Sequence, residues 1–317
     1  MFGVLVMGAG AAYGVFAYAF FTKIFSLPAQ GRSGLMQLSF LVLIPLCVTL
    51  ITGYLLQRHK KISFAQALLL SPAPVLLFVF IAGAFLREGF ICILMALPLF
   101  LFVAGVGALL SVLFSASSKK KSNKTLCVAL LLPFMLGAIE QDRELQDSFY
   151  EVKHSIHIKA PPDVIWRHIN FPTGIQPAEL QGGFAYLIGV PYPVEARTLE
   201  PRVGGRRQLV WQRGVSFQEE ITAWQENRFI AWKYLFDADS FPAGSLDDHI
   251  LIGGPYFNLE DTSYTLVPDG DGTRLELAVK FRLSTNFNGY AGLWAKFLIS
   301  DTAKTILNFY KHRAEAV

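Results

Sequence analysis

The stretch HSIHIKAPPDVIWRHI, residues 154–169, alternates polar and apolar side chains, stops at two prolines and resumes with helical spacing. Val152, His154, Ile156 and Ile158 share one face, and Lys153, Ser155, His157 and Lys159 the other, which is the period of a half-buried strand. Pro161 and Pro162 end that strand. Pro162 suits a first helical turn, Asp163 favours the positive helix N-terminus, and Val164, Ile165, His168 and Ile169 supply a short apolar face. A soluble strand-turn-helix unit therefore begins where a very different kind of sequence ends.

Working outward toward the N-terminus, uncharged apolar runs occupy 2–21, 35–56, 62–86 and 89–114. Each meets the roughly 20 residues that a helix needs to cross hydrocarbon. A fifth run, 125–139, is shorter and contains Pro133; with its flanks, 124–140, it is expected to span as well. The first run lacks a basic leading segment and a small-residue cleavage site before Lys23, so it reads as a retained helix. No Asp, Glu, Lys, Arg or His lies within 2–21, 35–56, 62–86, 89–114 or 125–139, which argues against a proton-coupled transporter. In MGAGAAYG, residues 7–14, Gly10 and Gly14 read as a helix-packing pair, because no strand precedes them as a dinucleotide loop requires.

Charge divides the chain in the same way. Residues 1–139 carry ten basic groups and one acid, whereas 140–317 carry 18 basic and 23 acidic groups. The overall charge of +4 thus comes from the apolar part and gives no support to nucleic-acid binding. Arg58, Lys60 and Lys61 fall in one loop and Lys119, Lys120, Lys121 and Lys124 in another on the same side, against Lys23, Arg32 and Arg87 opposite. The positive-inside rule puts the lysine-rich loops and the N-terminus in the cytoplasm and, after five crossings, the C-terminal part on the far side. If the fifth run only dips into the bilayer, that part is cytoplasmic. Cys47, Cys92 and Cys127 all lie in the apolar half, so the polar half has no disulfide framework.

The expected organisation is a transmembrane bundle over 1–139, a link over 140–148 whose EQDRELQ continues the last helix, and one folded domain over 149–317. After the opening unit, strands are expected at 193–199, 206–212, 218–223, 229–236, 256–267 and 274–283. WQEN, 224–227, and PDGDG, 268–272, supply turn chemistry for antiparallel hairpins, and a long helix over about 289–313 closes the chain.

That order, with IHIKAPPDVIWRHI, WQENRFIAWKY and DGTRLELAVKFRL, resembles the START-like or SRPBCC superfamily of polyketide cyclases, lipid-transfer domains and birch-pollen-allergen-type proteins. The resemblance covers about residues 149–315 and implies a helix-grip fold, a curved antiparallel sheet wrapped around a long C-terminal helix with an apolar cavity between them. The chain is most similar to membrane-anchored bacterial members, which implies a bacterial inner-membrane protein with a periplasmic domain. The multi-span anchor departs from the soluble members, so their substrates do not carry over.

Several residues are candidates for chemistry. Asp301 falls within the apolar patch of Leu293, Trp294, Phe297 and Leu298 on the terminal helix; it either anchors the helix, for instance to a strand arginine, or offers a polar contact in the cavity. His154 is either a satisfied core or edge histidine or a cavity-facing partner for Asp301. His249, beside Asp247 and Asp248 in a Gly- and Pro-rich segment over 239–257, belongs to a lid or a solvated turn; three adjacent residues make a poor metal triad. Arg206, Arg207 and Arg213 either grip an anionic headgroup or pair with acids on an exposed strand face. Trp211, Trp232, Tyr234, Tyr256, Tyr264, Trp294 and Phe297 are the expected ligand-contacting aromatics.

HExxH, GxSxG and GxxxxGK are all missing, and neither a metal nor a cofactor is expected. The leading expectation is a membrane-anchored protein that binds a lipid or other hydrophobic small molecule for transfer, presentation or sensing. The alternatives are a membrane-bound cyclase, dehydratase or hydrolase, and an envelope interaction protein with a vestigial cavity. The lipid bilayer is an expected partner, nucleic acid is not, and the sequence names no protein partner.

Overall fold

A computed structural model describes residues 2–59, 63–86, 89–117 and 123–316. The chain forms two compact units, Met1–Leu145 and Gln146–Val317.

The first unit is helical: α1 (Phe2–Ile24), α2 (Ile44–His59), α3 (Phe64–Leu70), α4 (Ala73–Phe85), α5 (Phe90–Ser117) and α6 (Asn123–Glu140). Four stretches are long and apolar enough to cross a membrane: Gly3–Ile24, Ser39–Gln57, Ala65–Phe85 and Phe90–Leu113. The apolar part of α6, Val128–Glu140, is shorter. The third expected run is broken where Pro72 and Pro74 end α3 and start α4, because a proline lacks the N–H that would continue the ladder. Gly10 and Gly14 are the close approach of α1 to α4. A Cβ at Gly10 would sit 2.8 Å from Pro74, and one at Gly14 2.7 Å from the Phe78 ring. Of the loop cations, Lys60, Lys61, Arg87, Lys119, Lys120 and Lys121 lie outside the described residues.

The link does not continue α6 as expected. The helix stops at Glu140, whose carboxylate accepts from the Leu38 and Ser39 N–H groups (2.6 and 2.9 Å) and from the Ser39 hydroxyl (2.6 Å). A carboxylate at those open N–H groups is favoured by the helix dipole. It places the C-terminal end of α6 beside the start of the helical segment that leads into α2. Tyr13 donates to the Leu130 carbonyl at 2.7 Å, and Phe134 packs on Phe20 at 4.9 Å, so α6 also lies along α1.

The second unit begins with β1 (Asp147–Ile158), α7 (Pro162–Asn170) and the one-turn α8 (Phe184–Leu187). Six further strands follow, β2 (Pro193–Thr198), β3 (Arg206–Trp211), β4 (Ser216–Gln225), β5 (Phe229–Leu235), β6 (Phe257–Asp269) and β7 (Gly272–Ser284), and α9 (Asn288–Glu315) closes the fold. The seven strands form one antiparallel sheet in the order β1-β7-β6-β5-β4-β3-β2. It curls so that its inner face holds α9. The two expected hairpins form, and Asn227 and Gly270 take the left-handed backbone (φ 60° each) that such tight turns need.

Register is set on both faces. On the outer face one row runs Glu151, Lys280, Asp261, Lys233, Glu220, Arg206 across six neighbouring strands, so the charge alternates in sign at every step. Arg206 lies 3.1 Å from Glu220, and Lys233 lies 3.3 Å from the same carboxylate. A slip by one residue would bring this row into the core, where unpaired charge is costly. On the inner face Ile158, Ile221, Ile230, Leu275 and Phe281 are fully buried, with Leu307 and Phe309 of α9 against the same core. Trp166 of α7 meets Trp224 edge-on at 4.9 Å.

Candidate functional site

Between the inner sheet face and α9 lies a cavity of about 140 Å³. Its apolar walls come from Leu209, Leu277, Val279, Ile299, Ile306 and Phe309. Its aromatic wall includes Trp211, Trp232, Tyr234 and Tyr264, four of the expected residues, together with Tyr186 of α8 and Tyr310 of α9.

One end is polar. Arg207 and Glu219 are direct cross-strand partners on β3 and β4, both almost completely buried, with Nη1 2.5 Å from Oε2. The guanidinium also donates through Nε to Thr198 Oγ1 (3.2 Å) and through Nη2 to the Ile169 carbonyl (2.9 Å), and it stacks 3.9 Å above the Trp232 ring. These contacts satisfy a cation that cannot give up its proton. Burial pushes the Glu219 carboxyl up to about 7, even though Arg207 pulls it down. Tyr234 Oη lies 2.6 Å from Thr262 Oγ1, and burial holds the Tyr186, Tyr234, Tyr264 and Tyr310 phenols above their usual range. The Trp211 indole N–H, also on the wall, is buried without a hydrogen-bond partner.

The remaining expected residues sit elsewhere. Asp301 accepts from the Ala185 N–H at 2.9 Å, so it fastens α8 to α9 rather than meeting a strand arginine or lining the cavity. His154 Nε2 lies 2.6 Å from Ser300 Oγ and ties β1 to α9; burial and then Lys304 hold its pKa down. His154 and Asp301 therefore do not form a polar pair in the cavity. Tyr256 is buried off the cavity wall. Trp294 and Phe297 belong to the outer part of α9, where Phe297 packs on Phe184 at 5.3 Å.

The arginines do not converge. Successive residues of β3 point to opposite faces, so Arg206 joins the outer charge row while Arg207 is buried. Arg213, in the turn after β3, donates to the Ser245 carbonyl at 3.2 Å. His249 Nδ1 lies 2.9 Å from Asp247 Oδ1 in a short turn. Among the described residues of 239–257 none lines the cavity, and His249 sits in a turn, the second of the two expected alternatives. Phe241 instead packs on Phe236 at 5.6 Å, and the wall over the cavity comes from Pro172, Ile175, Tyr186 and Pro193.

Residues 150–309, half of the chain, match the family described as polyketide cyclase / dehydrase and lipid transport. The chain belongs to this family. Among solved structures it is similar to a Mesorhizobium loti protein at 18% identity, covering 51% of this chain and 98% of that one with a TM-score of 0.29. A Thermus thermophilus protein matches at 17% identity over 53% of this chain and 98% of its own, with a TM-score of 0.33. The Zhui aromatase/cyclase from Streptomyces sp. R1128 matches at 14% identity over 53% and 94%, with a TM-score of 0.31. No curated protein matches the chain. Membership of the polyketide cyclase / dehydrase and lipid transport family, with a largely apolar cavity between sheet and helix, supports a hydrophobic ligand-binding domain in the second unit.

Proposed function

We propose that the protein is a membrane-anchored receptor for a hydrophobic small molecule, held in the sheet-helix cavity for transfer, presentation or sensing. The observation that carries the reading is an aromatic-walled cavity between sheet and helix with a polar end at Arg207 and Glu219. A dry cavity of about 150 Å³ accommodates one benzene-sized ring, and drug-sized ligands need upwards of about 300 Å³. At about 140 Å³ the cavity accepts a ring-sized body or the head of a longer ligand. A diacyl lipid requires the wall to open. The unpartnered Trp211 N–H favours a ligand bearing a hydrogen-bond acceptor.

The membrane reading rests on the four apolar helices and on Glu140. The end of α6 meets the start of the segment leading into α2, and Leu130 and Phe134 follow Tyr13 and Phe20 along α1, so α6 runs in the same direction as α1. This supports a fifth crossing. The second unit then follows on the side opposite the 58–61 and 119–124 loops, which is extracytoplasmic by the positive-inside rule.

A second reading, an enzyme, is favoured by one observation: the Glu219 carboxyl, pushed up to about 7, can exchange a proton with a bound hydroxyl or carbonyl compound near neutral pH. Mass spectrometry of molecules released from the detergent-extracted chain tests both. A ring-bearing hydrophobe retained by the wild type and lost from Ile306→Trp, which fills the cavity, supports the binding reading. Equal retention by both would sink it. Turnover of the retained molecule that disappears in Glu219→Gln while binding persists supports the enzyme.

A further inference from the structure

We propose that the outer surface of the cavity wall, the ridge of Leu187, Leu293 and Phe297, is a bilayer-contacting surface, and that lipid is its occupant. Leu187 is 82% exposed, Leu293 68% and Phe297 48%, with the Phe184 ring packed beside Phe297. Scattered apolar residues need no explanation, but Leu293 and Phe297 are one turn apart on α9, Phe297 meets Phe184 of α8, and Leu187 lies one turn after Phe184, which brings exposed apolar groups of two elements together. The patch is on α8 and the first half of α9, the elements whose opposite sides close the cavity through Tyr186 and Ile299.

Its place in the chain names the occupant. The N-terminus of α9 is tied to the point where the chain enters the domain: Asn288 Nδ2 donates to the Gln146 carbonyl at 2.7 Å and to Ser148 Oγ at 2.9 Å, and Tyr150 Oη donates to the Asn288 carbonyl at 3.2 Å. Phe149, at this same entry, is also exposed. Only residues 141–146 separate α6 from β1, and six extended residues reach about 20 Å. A bilayer crossed by α6 is therefore within reach of this end of the domain. Lys296, between Leu293 and Phe297, extends over the Tyr150 ring with Nζ 4.6 Å from its centre. The Lys296 ammonium is thus held toward β1, at the entry end of the domain. Asp301 fastens α8 through the Ala185 N–H and Phe184 packs on Phe297, so lipid competing for Phe184 and Leu187 acts on the element that brings Tyr186 to the cavity.

The proposal rests on the membrane reading above, and the experiment separates the two. In full chain with Cys47, Cys92 and Cys127 replaced by alanine, Leu187→Cys and Phe297→Cys are labelled with the environment-sensitive fluorophore NBD and reconstituted into nanodiscs containing doxyl-labelled phosphatidylcholine. Glu226→Cys and Asp271→Cys, in exposed hairpin turns, are the controls. The ridge labels are expected to emit at shorter wavelength and to be quenched at least twofold more than the controls. In the unlabelled wild type, doxyl lipid is expected to quench tryptophan emission by an amount that Trp294→Phe reduces. Water-like emission with control-level quenching overturns the proposal. Short-wavelength emission without lipid quenching also overturns it, because protein, such as a second copy, then covers the ridge. A chain that fails to enter nanodiscs overturns both readings, whereas one that enters with unquenched ridge labels overturns only this one.

Discussion

Glu219→Gln separates the electrostatics of the cavity from everything else that titrates. Glu219 is pushed up to about 7 from the 4.5 of an ordinary glutamate, with burial the first cause and the Arg207 guanidinium opposing it. Between these values the folded state holds a proton that the unfolded chain has released, so stability is highest below about 4.5 and is lost as pH rises through 7. At about 1.4 kcal/mol per pKa unit, the loss approaches roughly 3 kcal/mol. Glutamine is neutral throughout, and Arg207 is charged in both proteins, so the difference between them isolates this one proton. His154 and His168, whose lowered pKa values give stability the opposite slope, cancel in the same difference. All five tryptophans (Trp166, Trp211, Trp224, Trp232 and Trp294) lie in the second unit, so their emission during urea unfolding of the full chain in detergent reads that unit alone. The variant is expected to gain about 3 kcal/mol on the wild type between pH 4.5 and 7.5. A constant difference, or a wild type that gains on the variant as pH rises, refutes the reasoning by showing that Arg207 keeps the carboxylate ionised.

Arg207→Met leaves Glu219 buried without its partner and is expected to cost about 3–5 kcal/mol by the same unfolding measurement, with part of the loss recovered when Glu219→Gln is added. Asp301→Ala removes the acceptor for the Ala185 N–H and is expected to cost about 1 kcal/mol, as for a lost helix cap; stopped-flow fluorescence should show faster release of a cavity-bound hydrophobe. Lys233→Glu sets a third acid between Glu220 and Asp261 in the outer row, and the expected loss of up to about 1 kcal/mol should shrink in 1 M salt.

Much of the site was legible in the alternation of strands. Arg207, Leu209 and Trp211 share one face of β3, and Phe217, Glu219 and Ile221 share one face of β4, so a charged residue within each apolar triplet marked both as inward-facing. Reading the arginines by their nearness in sequence hid this, since neighbours on a strand point oppositely. The pairing of Arg207 with Glu219 depends on register, which no local pattern specifies. Helical spacing puts Asp301 beside apolar residues of the terminal helix, but its partner is a backbone N–H of a one-turn helix 116 positions away. Trp294 and Phe297 misled because apolarity alone does not say whether a helix face meets sheet, solvent or lipid.

Hydropathy and periodicity by themselves determined the division of the chain, the four long apolar helices, the strand order along the sequence and the closing helix. These follow from local properties: the solvent each side chain prefers and the spacing with which it recurs. Only the tertiary structure decided which residues enclose the cavity, that its one ion pair is Arg207 with Glu219, and that Glu140 ends α6 at the start of another helical segment. Those facts are meetings between distant residues. They are selected by the cost of burying any charge or backbone N–H without a partner, and that cost appears only once the chain has closed on itself.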